Sequence, residues 1–164
     1  MFGRRSASRA VMLESEKAVT EALVALLARR EYSQRELRRR IAPRVADEAL
    51  LERVLARLAE QGYQSDRRCA AMLARQRVEQ GYGRRRIRHD LRERGIDNAL
   101  IDTTLDELEV DWHALARQHA ERRYGTEPPT DARERARRMR HLLGRGFEYE
   151  EVNQVFVESG GQTL

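Results

Sequence analysis

Residues 81–91 read GYGRRRIRHDL, and residues 31–41 read EYSQRELRRRI. When the two stretches are laid over each other at an offset of 50 residues, each has a tyrosine at its second position and aliphatic residues at its seventh and last positions. Self-similarity at a fixed offset is the sequence signature of an internal repeat, in which one small unit recurs along the chain. The repeat is therefore the feature from which the fold is predicted.

A third copy of the unit follows, with an insertion. LARQRVEQGYG (73–83) lies over LARQHAERRYG (115–125) at an offset of 42, whereas HDLRERGID (89–97) lies over RHLLGRGFE (140–148) at an offset of 51. The third copy must therefore carry about nine additional residues, and TEPPTDARE (126–134) is the stretch without a counterpart.

Each copy is predicted to contain three helices. In the middle copy, Asp66 is expected to cap a first helix that runs to about Gln80, and a second helix runs from about Arg84 to Arg94 and stops at Gly95. Asp97 is predicted to be the N-cap of the third helix, because aspartate at this position accepts hydrogen bonds from the first N–H groups of a helix.

The same signals occur in the other copies. Asp47, flanked by Ala46 and Leu51, repeats the N-cap with a hydrophobic staple around it. Ser33 and Glu36 have the spacing of a capping box. Apolar residues spaced three and four apart also mark one face of each third helix. In the first copy these residues are Leu51, Val54, Leu55 and Leu58.

These patterns predict an all-α protein built from three tandem three-helix repeats, stacked into an elongated, curved molecule because one small unit buries too little alone. The predicted organisation is a flexible basic N-terminal segment (1–15), repeat 1 (16–62), repeat 2 (63–110) and repeat 3 (111–164) with the insertion near 126–134. The absence of a long apolar run predicts no membrane contact, and the whole is expected to be a cytoplasmic monomer.

Enzyme chemistry is not expected. The single cysteine, Cys69, is predicted to be a small buried apolar residue, so neither a disulfide nor a Cys-based metal site can form within the chain. His113 and His119 are six residues apart, on different faces of a helix, and the four histidines are expected to form no ligand pairs. We therefore predict no metal, no cofactor and no catalytic residue.

Charge is divided between the helices of each unit. Of the 32 basic residues, all but Lys17 are arginines, and the formal net charge is +5. Residues 102–111, in a third helix, contain five acidic residues and no lysine or arginine. The second helices carry arginines on an outer face: Arg35, Arg38 and Arg39 in the first copy, and Arg84, Arg85 and Arg88 in the second. One interpretation is internal ion pairing between neighbouring helices, and the other is binding to a long partner of mixed charge.

The glycines near residue 82 do not form a phosphate-binding loop. The dinucleotide-binding fingerprint requires a third glycine three residues beyond the second, where Arg86 stands. No strand is predicted before Gly81 either. Gly81 and Gly83 are better interpreted as a helix stop and a permissive helix start.

The ordered motifs of this chain resemble the RecX family of bacterial regulators of the RecA recombinase. They are YSQRELRRRI (32–41), EQGYQSDRRCA (60–70), EQGYGRRRIRHDLRERGI (79–96), DWHALARQHAERRYG (111–125) and LLGRGFEYEEV (142–152). The chain departs from the family pattern in three places. Arg84 stands where a proline is usual, Cys69 where a bulky aromatic residue is usual, and Gln64 where an aliphatic residue is usual.

The resemblance implies a non-enzymatic protein that binds in the groove of the RecA–DNA filament and inhibits strand exchange, ATP hydrolysis and LexA cleavage. The residues expected to contact RecA or filament DNA are Arg35, Arg38, Arg39, Tyr82, Arg84, Arg85 and Arg88. Tyr82 is the residue among them for which packing is the competing role. Binding to DNA alone is expected to be weak, salt-sensitive and independent of sequence.

Two other functions remain open from the residues alone. Three-helix units with a basic second helix also resemble helix-turn-helix modules, which predicts an autonomous DNA-binding protein. A scaffold unrelated to recombination would have no effect on RecA.

Overall fold

The computed structural model of the chain describes residues 11–158, and within that range it is built from helices without a strand. The α-helices are α1 (Glu16–Leu27), α2 (Gln34–Ile41), α3 (Glu48–Glu60), α4 (Asp66–Glu79), α5 (Arg84–Glu93), α6 (Asn98–Glu107), α7 (Trp112–Tyr124), α8 (Ala132–Gly144) and α9 (Tyr149–Glu158). A short 3-10 helix, Ala42–Arg44, follows α2. The all-α class and the three tandem helix triplets are confirmed.

The chain divides into two compact units, one ending at Asp66 and the other beginning at Arg67. The first unit has one hydrophobic core, to which α1, α2 and α3 contribute. The second unit contains two cores: one contains Ile87, Ile101 and Trp112, and the other contains Phe147 and Val152. The predicted boundaries between the three repeats stay predictions.

The turns that follow the helices explain why the helices end where they do. Gly95, at φ +80°, donates its N–H to the carbonyl of Arg92 (2.8 Å), and Ile96 donates to the carbonyl of Leu91 (3.1 Å). This pair of bonds is the Schellman arrangement, which satisfies carbonyls at the end of a helix and requires a left-handed residue. The glycines in these positions therefore stop the helices, as predicted.

The helix starts follow the predicted side-chain caps. The carboxylate of Asp97 accepts a hydrogen bond from the N–H of Leu100 at 2.8 Å, and Ser33 forms a complete capping box with Glu36. The staple predicted around Asp47 is wrong in one residue. Ala46 is exposed, and the buried residue before this cap is Val45, which directly follows the 3-10 helix.

The role predicted for Asp66 is also wrong. Asp66 is the first residue of α4, and its carboxylate accepts the N–H of Gln34 and the side-chain amide of Gln64, both at 2.8 Å. The first N–H groups of α2 lack partners within that helix, and Asp66 satisfies one of them. Gln64 is buried, and its side-chain amide also donates to the carbonyl of Tyr32 at 3.1 Å. Gln64, which stands where the family usually has an aliphatic residue, therefore acts as a hydrogen-bond donor in this chain.

The N-terminal segment joins the first core before α1 begins. Leu13 is buried in that core, and its N–H donates to the carbonyl of Arg44 at 2.8 Å. Residues 1–10 of the predicted flexible segment lie outside the described residues.

Candidate functional site

The start of α5 is held in place by the turn between α8 and α9. The N–H of Gly83 donates to the carbonyl of Arg145 (2.8 Å), and the N–H of Arg85 donates to the carbonyl of Gly146 (3.0 Å). A Cβ atom at Gly83 would collide with the backbone of Gly146 and Phe147. Gly83 thus permits a close backbone approach, and these two N–H groups have protein acceptors rather than a phosphate.

The first arginines of α5 are presented to solvent from this fixed helix end. Arg84 is exposed, and its guanidinium lies 5.6 Å from the ring centroid of Trp112. Arg85 is exposed and is ion-paired with none of the carboxylates between residues 11 and 158. Arg86, next in sequence, is paired with Asp90 at 3.1 Å. Arg84 and Arg85 are therefore the cations of α5 that are most available to a partner.

Arg88 and Arg38 take part in equivalent internal ion pairs. Arg88 donates to Asp102 of α6 at 2.7 Å, and Arg38 donates from its Nε to Glu52 of α3 at 2.5 Å. The hydrogen bond lowers the pKa of Glu52 and raises that of Arg38. Both pairs join residues 14 apart, at the repeat offset of 50. The internal-pairing interpretation therefore holds for two of the six predicted arginines.

The arginines of α2 are the counterpart of this surface in the first unit. Arg35 and Arg39 are exposed, and no described carboxylate forms an ion pair with either of them. Within α2 and α5, the predicted basic surfaces thus reduce to two unpaired arginines each: Arg35 and Arg39 in the first unit, and Arg84 and Arg85 in the second.

Tyr82 packs rather than projecting into solvent. Its ring lies under the guanidinium of Arg145 at 3.7 Å and near that of Arg86 at 4.9 Å, and the residue is half-buried. Arg145 also donates to the carbonyls of Gln80 and Gly81, at the end of α4. The contact between Tyr82 and Arg145 therefore helps to hold the start of α5 against the turn between α8 and α9.

A groove of about 460 Å³ adjoins the exposed arginines of α5. Basic side chains of α5 stand on one side of it, carboxylates of α6 and the following loop stand on the other, and Trp112 contributes to its lining. The lining residues are Arg84, Arg88, Asp102, Leu105, Asp106, Glu109, Val110 and Trp112. Such a groove can bind groups of either charge by hydrogen bonding, but it contains no nucleophile with an adjacent base.

Two of the histidines form a contact that the sequence did not predict. Nε2 of His119 in α7 lies 3.0 Å from Nε2 of His141 in α8, and the two rings stack. Burial, followed by the charge of Arg145, lowers the pKa of His119 to about 4. Burial, followed by the charge of Arg123, lowers the pKa of His141 below its ordinary value. Across residues 11–158, no three potential ligand side chains come together in a group that could hold a metal ion.

Sequence reasoning also missed a buried arginine in α8. Arg138 is 8% exposed; it donates to the carboxylate of Glu134 (2.7 Å) and to the carbonyl of Glu127 (3.0 Å). At the repeat offsets it corresponds to two core residues, Leu37 and Ile87. That correspondence was the signal in the sequence, since an arginine at a core position requires partners that the inserted segment supplies.

Comparison with known proteins assigns the family. Residues 65–105 match the family model "RecX, second three-helix domain", and residues 109–156 match "RecX, third three-helix domain". The chain is 43% identical over 138 residues to a "Regulatory protein RecX" of Halorhodospira halophila, covering 84% of this chain and 86% of that protein. The chain belongs to the RecX family. A RecX protein of Pseudomonas entomophila is 40% identical over 144 residues, covering 88% of this chain and 93% of the relative.

Solved RecX structures have the same fold. The crystal structure of RecX from Lactobacillus salivarius superposes with a TM-score of 0.77, covering 88% of this chain and 96% of that one at 18% identity. A second RecX crystal structure gives a TM-score of 0.72 at 21% identity, covering 85% of this chain and 70% of that one. The role of this RecX-family chain is regulatory, as the names of its relatives state. None of the described helices is long and apolar enough to cross a bilayer.

Proposed function

We propose that this RecX-family chain regulates RecA without enzymatic activity of its own. It binds in the groove of the RecA–DNA filament and inhibits strand exchange, ATP hydrolysis and LexA cleavage. Its relatives are named regulatory proteins. Its exposed arginines offer contacts to DNA phosphates or to carboxylates of RecA. It acts as a monomer in the cytoplasm, where the filament assembles.

The observation that supports this proposal best is the unfavourable placement of charge at the start of α5. Arg84 and Arg85 occupy its first turn, which contains no acidic residue, and its N-cap Gly83 provides no side-chain hydrogen bond. Basic residues in a first turn oppose the helix dipole, and each interaction with the dipole is typically worth about 0.3–1 kcal/mol. Departures from such local preferences are expected at functional positions.

The geometry around these arginines adds a second argument. Their backbone is fixed by the hydrogen bonds of Gly83 and Arg85 to the α8–α9 turn. A rigid backbone reduces the conformational entropy that binding would otherwise cost. Arg88, which is paired with Asp102, contributes to the same surface only when a partner replaces that carboxylate.

The test is a titration of RecA's DNA-dependent ATP hydrolysis with the purified chain. The wild type is expected to inhibit hydrolysis. Charge reversal at Arg84, Arg85 and Arg88 is expected to relieve this inhibition by removing the surface on α5. The matched control reverses Arg29, Arg53 and Arg75, three exposed arginines outside α5, and it is expected to inhibit nearly as well as the wild type.

Three outcomes would count against the proposal. Unchanged inhibition by the folded α5 variant would remove this surface, and no inhibition by the wild type would favour an unrelated scaffold. A selective complex with one duplex sequence at physiological salt would favour the helix-turn-helix alternative. Circular dichroism of each variant establishes that it is folded before inhibition is compared.

A further inference from the structure

The inserted segment of the third repeat lengthens its second helix. Helix α8 has 13 residues, against ten in α5 and eight in α2. At the offset of 51, the first residue of α5 corresponds to Arg135, so residues 132–134 form an added turn that comes from the insertion. This turn brings Arg133 and Glu134 into the helix.

The lengthened helix has an outer stripe of three arginines, Arg133, Arg137 and Arg140, which we name the α8 strip. Positions separated by four and three residues lie on one side of a helix, about 5–6 Å apart. All three residues are exposed. Arg133 and Arg140 form no ion pair with any carboxylate of residues 11–158, and Arg137 has only Glu134 at 3.9 Å.

Glu134 does little to neutralise the α8 strip, because its carboxylate has other partners. It accepts hydrogen bonds from the buried Arg138 at 2.7 Å and from the N–H and hydroxyl of Thr130 at 2.8 and 2.6 Å. The side chain of Arg137 remains 66% exposed. The insertion thus adds Arg133 to the outer face of α8, whereas the carboxylate that it adds, Glu134, bonds to the buried Arg138.

We infer that the α8 strip binds the phosphate backbone of DNA directly, without RecA. The strip spans residues 133–140, roughly 10 Å along the helix axis, and duplex DNA carries about six phosphate charges over that length. The buried core of a protein–protein interface is instead depleted in charged residues. The large apolar side chains exposed among the described residues include none on α8.

The other two second helices lack this stripe. Arg133 comes from the insertion and has no counterpart. The positions that correspond to Arg137 and Arg140 in the second repeat are Arg86, which is paired with Asp90, and His89. In the first repeat these two positions are Glu36 and Arg39. The inferred site therefore belongs to the third repeat, and it does not depend on the surface proposed to contact RecA.

The experiment measures the binding of a fluorescein-labelled DNA duplex by fluorescence anisotropy. The salt concentration is varied from about 50 to about 200 mM, because counterion release makes the DNA affinity depend strongly on salt over this range. The strip variant carries Arg133→Gln, Arg137→Gln and Arg140→Gln. The matched control carries glutamine at Arg29, Arg53 and Arg75, three scattered exposed arginines. The strip variant is expected to bind DNA at least about tenfold more weakly than the wild type at low salt. The magnitude of the slope of log K, the logarithm of the association constant, against log salt is expected to fall by about 2–3, because each lost phosphate contact removes about 0.9.

The control should keep a slope close to that of the wild type. Equal losses in the two variants would mean that net charge alone drives binding, and would overturn the inference. An unchanged DNA affinity in the strip variant would also overturn the inference. If that variant keeps its DNA affinity but no longer inhibits RecA, the strip contacts a protein instead. Single substitutions, each lowering the slope by about 0.9, provide the same test if the triple variant is unfolded.

Discussion

The glycine after α8 is required for two independent reasons. Gly146 has φ +96°, and a Cβ atom there would lie 2.5 Å from both the backbone nitrogen and the Cβ of Arg86. Gly62, after α3, has φ +79°, but an added Cβ would meet nothing within 4 Å. A Cβ atom would therefore cause backbone strain alone at Gly62, but both backbone strain and a steric collision at Gly146.

We predict that Gly146→Ala destabilises the chain more than Gly62→Ala does. The left-handed conformation costs a residue with a Cβ about 1–2 kcal/mol, so Gly62→Ala should lose about that much. Gly146→Ala should lose more, because it also pushes apart the α8–α9 turn and the start of α5. Urea unfolding followed by circular dichroism measures both. Equal losses would show that the contact with Arg86 relaxes freely.

The histidine pair gives the chain a dependence on pH. Because the pKa of His119 is lowered to about 4, its folded-state imidazole stays neutral where the unfolded imidazole, with an ordinary pKa near 6.5, takes a proton. The stabilisation is thus complete above about pH 6.5 and is lost as the pH falls toward 4. Arg122, Arg123 and Arg145 oppose protonation.

We predict that the melting temperature falls between pH 7.5 and pH 5, and that His119→Gln reduces this fall. His119 is partly exposed, so solvent screening limits its contribution to on the order of 1 kcal/mol. Differential scanning calorimetry of the wild type and the variant at both pH values makes the comparison, in which carboxylate titration is common to both proteins. An identical fall in the two proteins would show that His119 is not responsible.

At the scale of the elements, helix α8 has an arginine, Arg138, at the position that is aliphatic in α2 and α5, the second helices of the other repeats. The buried guanidinium of Arg138 relies on the Glu134 carboxylate, whose pKa is lowered to about 2 by Thr130 and then by Arg138. Removing one partner of such a pair is costly when the remaining charge is buried. The two partners differ in this respect, because Arg138 is buried whereas Glu134 reaches solvent.

We predict that Glu134→Gln lowers the melting temperature more than Arg138→Met does. The first change leaves a buried guanidinium without its counter-charge. The second places an apolar side chain where Leu37 and Ile87 stand in the other repeats, and Glu134 remains bonded to Thr130. Thermal unfolding of the two variants ranks them, and the reverse order would mean that Arg138 is retained for stability.

At the scale of the whole molecule, the net charge of +5 is carried by arginines on particular helices rather than spread evenly. Contacts between exposed charges and a polyanionic partner weaken with salt, since the Debye length falls from about 10 Å at 0.1 M to shorter distances at higher salt. Inhibition of RecA through such contacts should show the same weakening.

We predict that the concentration of this chain needed for half-maximal inhibition of RecA's ATP hydrolysis rises with sodium chloride. The variant with Arg84→Glu and Arg85→Glu should show a shallower dependence, because fewer charge contacts remain to be screened. RecA alone at each salt concentration is the control for the enzyme's own response. A half-maximal concentration that does not change with salt would indicate an apolar interface instead.

Most of the fold could be predicted from the sequence because its determinants are local. Caps such as Ser33 and Asp97 lie within three residues of the groups they bond, and the glycine stops lie next to the helices they end. The recurrence of these signals at fixed offsets identified the triplets. Asp66 is an exception because its carboxylate bonds to the N–H of Gln34 in another helix, and Ala46 is an exception because Val45 is the buried residue before that cap.

The sequence by itself determined that this chain forms helical triplets with arginine-rich second helices, since periodicity and capping act over a few residues. Only the tertiary structure decided which arginines remain available. Arg38 and Arg88 are paired with carboxylates 14 residues away, Arg138 is buried, and Arg85 remains unpaired among the described residues. Ion pairing and burial depend on how helices pack against each other, and that packing brings together side chains that the chain order keeps apart.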